Sequence, residues 1–567
     1  MPERVKRVLA IGLDGATFRV IEPMARAGQL PALSRLMENG TRGVLRSTIQ
    51  PSSEQAWPAF MTGVQNGKHG IFGFVQRVPG SYAYQYTNAR AQRAPTLWRI
   101  LSDRGRPVIV VNVPMTYPPE PVNGALIGGL MTPSLHSRFT HPPDLYQELK
   151  REIGGYIINV DIETGRLKEA GEAQLLREIE EMIRLRTEAV KYLARSRDWD
   201  LLCVVYGAAD RVSHKFWRYM DAGRPDLDAG GKAGVIPWVY RRLDQAVGEL
   251  LDDLADEETL VLVVSDHGFG PLKKALFLNQ WLAQRGYLAF RPPAALDAGA
   301  RLRRGLNAGL RRAVHWLDRS WMGALKRAAF AALPGLKGRL HSSMAYSQVD
   351  WPRTRAYGSG TMGNIYINLR GREPQGIVEP GEEYERVREQ LMADLRALRD
   401  PDSGKPVFEA VYRREDIYHG PYLDLAPDVV GLLDPTYHVA AVDWRPAGGG
   451  VIASLEEGLL FVGDLTGQHD MEGILIAGGA GVRRGARIAG AGIIDVAPTI
   501  LAALGEPIPD YMDGRVLAGL FDRQIDITST SGEPREEPPA PEGVGDGYSD
   551  EEAEEIASRL RGLGYID

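Results

Sequence analysis

The chain has 567 residues, room for one large domain with insertions or for two to four ordinary ones. Its 44% hydrophobic and 25% charged residues exclude a disordered or fibrous protein, and the net charge of −6 argues against a nucleic-acid partner. The single cysteine, Cys203, permits no internal disulfide and no cysteine-rich metal site, so a bound metal would have to use His and carboxylates.

In chain order, the charged start Met-Pro-Glu-Arg-Val-Lys-Arg leads into an apolar run that stops at Asp14, too short for a signal-peptide core. No stretch approaches the roughly 18 to 20 uninterrupted apolar residues of a spanning helix. The expectation is a soluble, cytoplasmic protein. Continuous β-branched runs at 5–13, 108–113, 125–129, 201–206, 260–265 and 473–477 read as strands buried on both faces. Helical patterns at 173–194 and 237–254 lie between them. Strands alternating with helices predict an α/β fold with a mostly parallel central sheet and helices on both faces. Functional residues of such sheets gather at the carboxyl ends of the strands. Three runs end there with an acid: Asp14, Asp210 and Asp266.

The expected division is a catalytic core over 1–270, an insertion or cap over 271–380, the remainder of the core over 381–522, a Pro/Gly/Glu-rich linker over 523–549 and a C-terminal helix over 550–567. Ile556, Leu560 and Leu563 would dock that helix on the body. Within the insertion, 291–340 carries eleven Lys/Arg against two Asp, a local charge of about +9, with Trp316, Trp321, Met322 and Phe330 interleaved. That pattern fits peripheral contact with an anionic bilayer. It also fits a lid packed on the body with its bases in water.

Only ten histidines occur, and several stand beside acids in Gly-flanked contexts. Asp210-Arg-Val-Ser-His214 spaces an acid and an imidazole one helical turn apart, so both can face one ion. Asp266-His267 follows a buried strand, and Thr466-Gly-Gln-His469-Asp precedes another. Carboxylate and imidazole donors in this ratio suit zinc, with manganese as the alternative.

The segments Ile11-Gly-Leu-Asp14-Gly, Pro51-Ser-Ser53-Glu-Gln-Ala-Trp57, Phe60-Met-Thr62-Gly63 and Gly67-Lys-His69-Gly-Ile occur in that order. Asp210 to His214, Ser265-Asp266-His267-Gly268, His469, Asp495-Val-Ala-Pro-Thr-Ile-Leu and Met512-Asp-Gly-Arg follow them. Together they resemble the alkaline phosphatase superfamily, and within it the type I phosphodiesterase/nucleotide pyrophosphatase-like phosphohydrolases. The resemblance covers residues from about 5 to 520. It implies an alkaline-phosphatase-like sandwich, a phosphate-ester substrate and two divalent ions. Asp14, Asp266 and His267 would hold one ion, which also contacts the nucleophile. Asp210, His214 and His469 would hold the other. The nucleophile position falls on Ser53, with Ser52 as the alternative, and Trp57 fits the spacing of the microbial branch. The start of a helix at 54–61 would add backbone N–H groups for a phosphate oxygen.

The sequence departs from that pattern at one point. The nucleotide pyrophosphatases carry a phosphate-contacting Asn five residues beyond the position of His69, and this chain has Phe74 there. Lys68 is a candidate substitute, and Arg370 and Arg372, at the basic end of a strand-like segment, are candidate anion binders. A sulfatase fits less well, because Ser53-Glu-Gln-Ala-Trp lacks the Pro and Arg which that branch needs. The leading expectation is a phosphodiesterase, then a phosphomonoesterase, working through phosphorylated Ser53. A phosphomutase acting on a phosphorylated sugar shares the same machinery, and a silent binding protein on the same fold is the alternative from another class.

Overall fold

A computed structural model describes residues 5–160, 169–220, 231–291, 346, 348–440, 450–455, 465–532, 548–562 and 565. Among the described residues, nine strands form one sheet. Its order is Ala486–Gly492, Thr41–Arg46, Glu472–Gly479, Thr259–Val264, Arg7–Leu13, Leu201–Tyr206, Val108–Val111, Gly124–Ile127, Thr140–His141. Glu472–Gly479 and Thr140–His141 run antiparallel to their neighbours, and the other strands are parallel. The mostly parallel sheet read from the continuous apolar runs is therefore present.

Successive side chains of the central strands enter opposite cores, as the two-residue period of a strand requires. Leu9, Ile11 and Leu13 join Leu202, Val204, Tyr206, Val261 and Val263 on one face. Val8 and Ala10 join Leu201, Cys203, Val205, Leu260 and Leu262 on the other. The helices Glu169–Ser196 and Val235–Leu254 cover the first face, and Ser53–Thr62 and Val496–Ala503 cover the second. Both faces are thus dry, and Cys203 is buried with its thiol pushed up to about 12 by that burial.

A smaller antiparallel sheet lies beside the main one in sequence between Thr259–Val264 and Glu472–Gly479, in the order Ala356–Ser359, Asn364–Ile367, Val429–Leu433, Phe408–Arg413. Its strands come from both sides of residue 380, and the helix Glu382–Ala397 packs on it through Leu391, Met392 and Leu395. The basic, aromatic-spaced stretch 291–340 lies, apart from Arg291, outside the described residues. Among the described residues, no helix is long and apolar enough to cross a membrane. The C-terminal helix runs Asp550–Gly562 and docks as its pattern predicts, with Ile556 and Leu560 fully buried in the second core. Leu563 lies outside the described residues.

Candidate active site

Three adjacent strands of the main sheet deliver the acids. Arg7–Leu13 ends at Asp14, and its neighbour Thr259–Val264 runs on through Ser265 to Asp266 and His267. Its other neighbour, Leu201–Tyr206, leads into the helix Ala208–Phe216, which carries Asp210 and His214 one turn apart. Backbone bonds tie these exits together: Asp14 N–H donates to the Tyr206 carbonyl at 3.0 Å, and Asp210 N–H to that of Asp14 at 3.1 Å. Gly15 turns the chain at φ +68°, a conformation costly for residues with a Cβ. Its N–H then donates to Asp266 Oδ1 at 3.2 Å. His469 arrives on a short strand, Gly467–Asp470, paired antiparallel with Gly268–Pro271 so that it stands opposite Phe269.

Ser53 is the first residue of the helix Ser53–Thr62, all of whose residues are buried. Its Oγ lies 3.4 Å from Asp14 Oδ1 and 3.2 Å from His267 Nε2. The neighbouring Ser52 hydroxyl turns the other way, donating to the Glu54 carboxyl. Burial raises that carboxyl to about 7. The two serines left as alternatives by the sequence are thus separated by direction.

The tautomers of two histidines follow from carbonyls that can only accept. His267 Nδ1 faces the Gly268 carbonyl at 3.1 Å, and His469 Nδ1 faces that of Pro51 at 3.0 Å. Each Nδ1 therefore carries the proton, and each Nε2 offers a lone pair inward. His469 Nε2 lies 3.2 Å from Asp210 Oδ1 and 3.0 Å from His214 Nε2, and His214 Nε2 lies 3.3 Å from Asp210 Oδ1. His267 Nε2 lies 3.2 Å from Asp266 Oδ2 and 3.9 Å from Asp14 Oδ1. The His267 and His469 rings stack with centroids 3.7 Å apart.

These donors suit cations. Asp14, Asp266 and His267 present ligand atoms within 4.8 Å of one another, as do Asp210, His267 and His469. His267 joins both groups. Three carboxylates, those of Asp14, Asp210 and Asp266, are buried together. The Arg211 guanidinium offsets one of them, donating to Asp210 Oδ2 at 2.9 Å. Burial, then the charges of Asp266 and Asp210, hold the Asp14 carboxyl well above the usual carboxylate range; burial raises Asp266 as well. Burial also opposes ionisation of Asp210, but His214, His469 and Arg211 together hold it well below that range. Burial and His267 depress the His469 imidazole to about 3, which keeps its lone pair free. Buried carboxylates in excess of nearby positive charge are costly unless a cation joins them. Asp266 Oδ2, buried and without a hydrogen-bond donor, points to the same need.

The structure does not bring Lys68, Arg370 or Arg372 into hydrogen-bond contact with this cluster. Lys68 Nζ donates to the Tyr511 carbonyl at 2.8 Å and to Asp513 Oδ1 at 2.5 Å. Arg370 pairs with Glu379 at 2.7 Å, both largely exposed. Arg372 donates to Asp428, Glu373 and the Ile367 carbonyl, which ties the small sheet to the turn that follows it. Other described residues also touch the site, among them Trp57, which the sequence marked only by its spacing, and Arg211 and Tyr565, which it did not mark. The Trp57 indole N–H donates to Asp14 Oδ2 at 3.0 Å, Arg211 pairs with Asp210, and the Tyr565 hydroxyl lies 3.4 Å from His469 Nε2. An arginine inside the Asp210–His214 motif was a usable signal for the second; nothing local signals the third.

The chain is a phosphoric ester hydrolase of the alkaline phosphatase superfamily, and buried acids at three strand exits beside a serine that opens a helix accord with that. The family model for type I phosphodiesterase/nucleotide pyrophosphatase matches residues 8–458, so the chain belongs to that family. His469 lies beyond the matched span. The fold is similar to that of human ectonucleotide pyrophosphatase/phosphodiesterase 5, with 12% identity and a TM-score of 0.49, over 91% of this chain and 100% of that one. The murine protein of the same name, an inactive variant in complex with AMP, is similar over 88% of this chain and 95% of its own, with 12% identity and a TM-score of 0.46. No curated protein sequence matches the chain.

Proposed function

We propose that the chain is a phosphodiesterase that passes the phosphoryl group through Ser53 with the help of two divalent ions, zinc first and manganese as the alternative. One observation carries the reading. Two neighbouring groups of buried carboxylate and imidazole atoms, each spanning no more than 4.8 Å, share His267, whose Nε2 lies 3.2 Å from Ser53 Oγ. Asp14, Asp266 and His267 would hold one ion, and Asp210, His214 and His469 the other. Ions held there supply positive charge that favours the serine alkoxide and neutralises the phosphoryl oxygens.

The chain's own residues do the rest. Asp14 and His267 face the Ser53 hydroxyl and orient its Oγ toward the ester. Ser53 Oγ attacks phosphorus as its proton passes to solvent, and the ester oxygen departs with the bonding pair and takes a proton from solvent. Water then cleaves the phosphoserine and restores the hydroxyl. The N-terminal N–H groups of the helix Ser53–Thr62 would hold phosphoryl oxygens. His214, His469 and Arg211 together favour the ionised Asp210 within the buried cluster.

The test is hydrolysis of bis-p-nitrophenyl phosphate and of p-nitrophenyl phosphate after chelation, with zinc or manganese restored. Diester turnover that returns with metal supports the reading. Absence of turnover on both esters with two equivalents of metal bound would sink it.

A further inference from the structure

Tyr565 stands third from the end of the sequence, yet its hydroxyl lies 3.4 Å from His469 Nε2. Its ring centroid is 5.8 Å from those of His214 and His469 and 4.6 Å from that of Phe74. The preceding helix Asp550–Gly562 is anchored rather than laid loosely on the surface. Ile556 and Leu560 are fully buried. Tyr548 stacks on Tyr117 at 5.9 Å and donates to the Met131 carbonyl at 2.8 Å. Arg559 donates to the carbonyls of Thr132 and Pro133, and Glu552 accepts from Tyr117 at 2.9 Å and Ser137 at 3.1 Å. This anchored helix sets the position of Tyr565, whose N–H donates to the Leu560 carbonyl at 2.9 Å.

The position of the hydroxyl determines what it can do. His469 Nδ1 carries its proton toward Pro51, so Nε2 is an acceptor and Tyr565 O–H is the donor. Were His469 Nε2 to hold an ion, the Tyr565 O–H would donate instead to an oxygen beside the Asp210, His214 and His469 group. Ser53 stands at the other group, beside Asp14 and His267. Phosphoryl transfer runs roughly in line, with the leaving oxygen opposite the nucleophile. The leaving oxygen therefore falls on the side of Tyr565.

We infer that Tyr565 is a catalytic residue on the leaving-group side: its O–H donates a hydrogen bond to the departing ester oxygen, and its ring with Phe74 walls the space for the departing group. This rests on the two-ion reading with Ser53 as nucleophile. As Ser53 Oγ bonds to phosphorus, its proton passes to solvent and the bond from phosphorus to the ester oxygen breaks. The electron pair settles on that oxygen, the phenol proton stays on Tyr565, and solvent protonates the departed alkoxide.

The hydrogen bond matters most where the leaving oxygen bears most charge, which is with a poor leaving group. The experiment compares wild type and Tyr565→Phe on diphenyl phosphate and bis-p-nitrophenyl phosphate, with metal content and thermal midpoint read alongside. Loss of one preorganised donor to a developing oxyanion is worth about 10²–10³ in rate at its largest. Tyr565→Phe is therefore expected to slow the phenyl ester roughly 10- to 100-fold and the p-nitrophenyl ester distinctly less. Metal content and midpoint should match wild type. Equal losses on the two esters, or none, would overturn the inference. Faster turnover would overturn it by making Tyr565 a plug, and loss of a metal equivalent by making it an ion ligand. Wild type that turns over neither ester overturns the Ser53 reading and this inference with it, whereas an active wild type matched by Tyr565→Phe overturns this inference alone.

Discussion

His267 Nε2 lies 3.2 Å from Ser53 Oγ while its Nδ1 hydrogen is held by the Gly268 carbonyl at 3.1 Å. The ring cannot rotate without losing that bond, so the lone pair stays aimed at the hydroxyl and at Asp266. Ser52, one residue earlier, has its hydroxyl turned to Glu54. Ser53→Ala is expected to lower turnover by roughly 10⁴-fold or more, as removal of a nucleophile does. Ser52→Ala should leave a working enzyme but cost ~1–3 kcal/mol of stability by removing the donor to a buried carboxyl. Steady-state rates and urea midpoints of the two variants check this, and the opposite ranking of rates would move the nucleophile to Ser52.

Trp57 Nε1–H donates to Asp14 Oδ2 at 3.0 Å, and Gly12 leaves room for the indole, since a Cβ there would come within 2.5 Å of it. The bond fixes which oxygen of Asp14 faces the cluster. Trp57→Phe keeps an aromatic ring in the core, removes the donor and leaves a small cavity where the indole was larger. Partners of this kind typically tune metal affinity 10- to 100-fold. Zinc affinity, measured by competition with a chelating dye, should weaken by roughly that factor in Trp57→Phe with the circular dichroism spectrum unchanged. Unaltered affinity would reduce Trp57 to a packing role.

Much of this was legible because strand burial writes itself into sequence. A strand dry on both faces must be continuously apolar, so the acid that ends each run marks its exit, and Asp14, Asp210 and Asp266 stood out for that reason. The direction of Ser53 against Ser52 was not legible, because it depends on which way one turn of backbone faces. The run at Val429–Leu433 is as apolar as those of the main sheet but belongs to the small antiparallel one. Apolar pattern alone does not say which sheet a strand joins. Arg372 carries the right charge to bind an anion, but its donors are taken by Asp428 and Glu373, a pairing of residues up to 56 positions apart. Tyr565 and His469 are 96 positions apart, and only the docking of the last helix brings them together.

Leu560 is fully buried in the core that also holds Trp57 and Phe60. Burying an amphipathic helix at the chain end through such residues makes it part of the folded body. A buried Leu→Ala change costs about 2–5 kcal/mol. Leu560→Ala should lower the urea midpoint of the whole chain and open residues 550–562 to limited proteolysis. A single late transition at the wild-type midpoint would show instead that the helix adds nothing to global stability.

His69 is fully buried, its Nδ1 accepts the Ile71 N–H at 3.2 Å and its Nε2 finds no partner. Burial, opposed weakly by Asp513, lowers the imidazole to about 3. A group whose folded-state value lies below its unfolded one binds fewer protons when folded. Its contribution to stability is complete above pH 6.5 and is lost progressively as pH falls from 6.5 toward 3. At pH 5 the loss from His69 alone is about 2 kcal/mol. His69→Asn keeps an acceptor for the Ile71 N–H and removes the group that titrates. Urea midpoints of wild type and His69→Asn, measured between pH 7.5 and 5, should therefore diverge, with the wild type falling more steeply by about that amount. Parallel pH profiles would mean that His69 is protonated in the folded chain at pH 5, and that the pocket around it admits a charge.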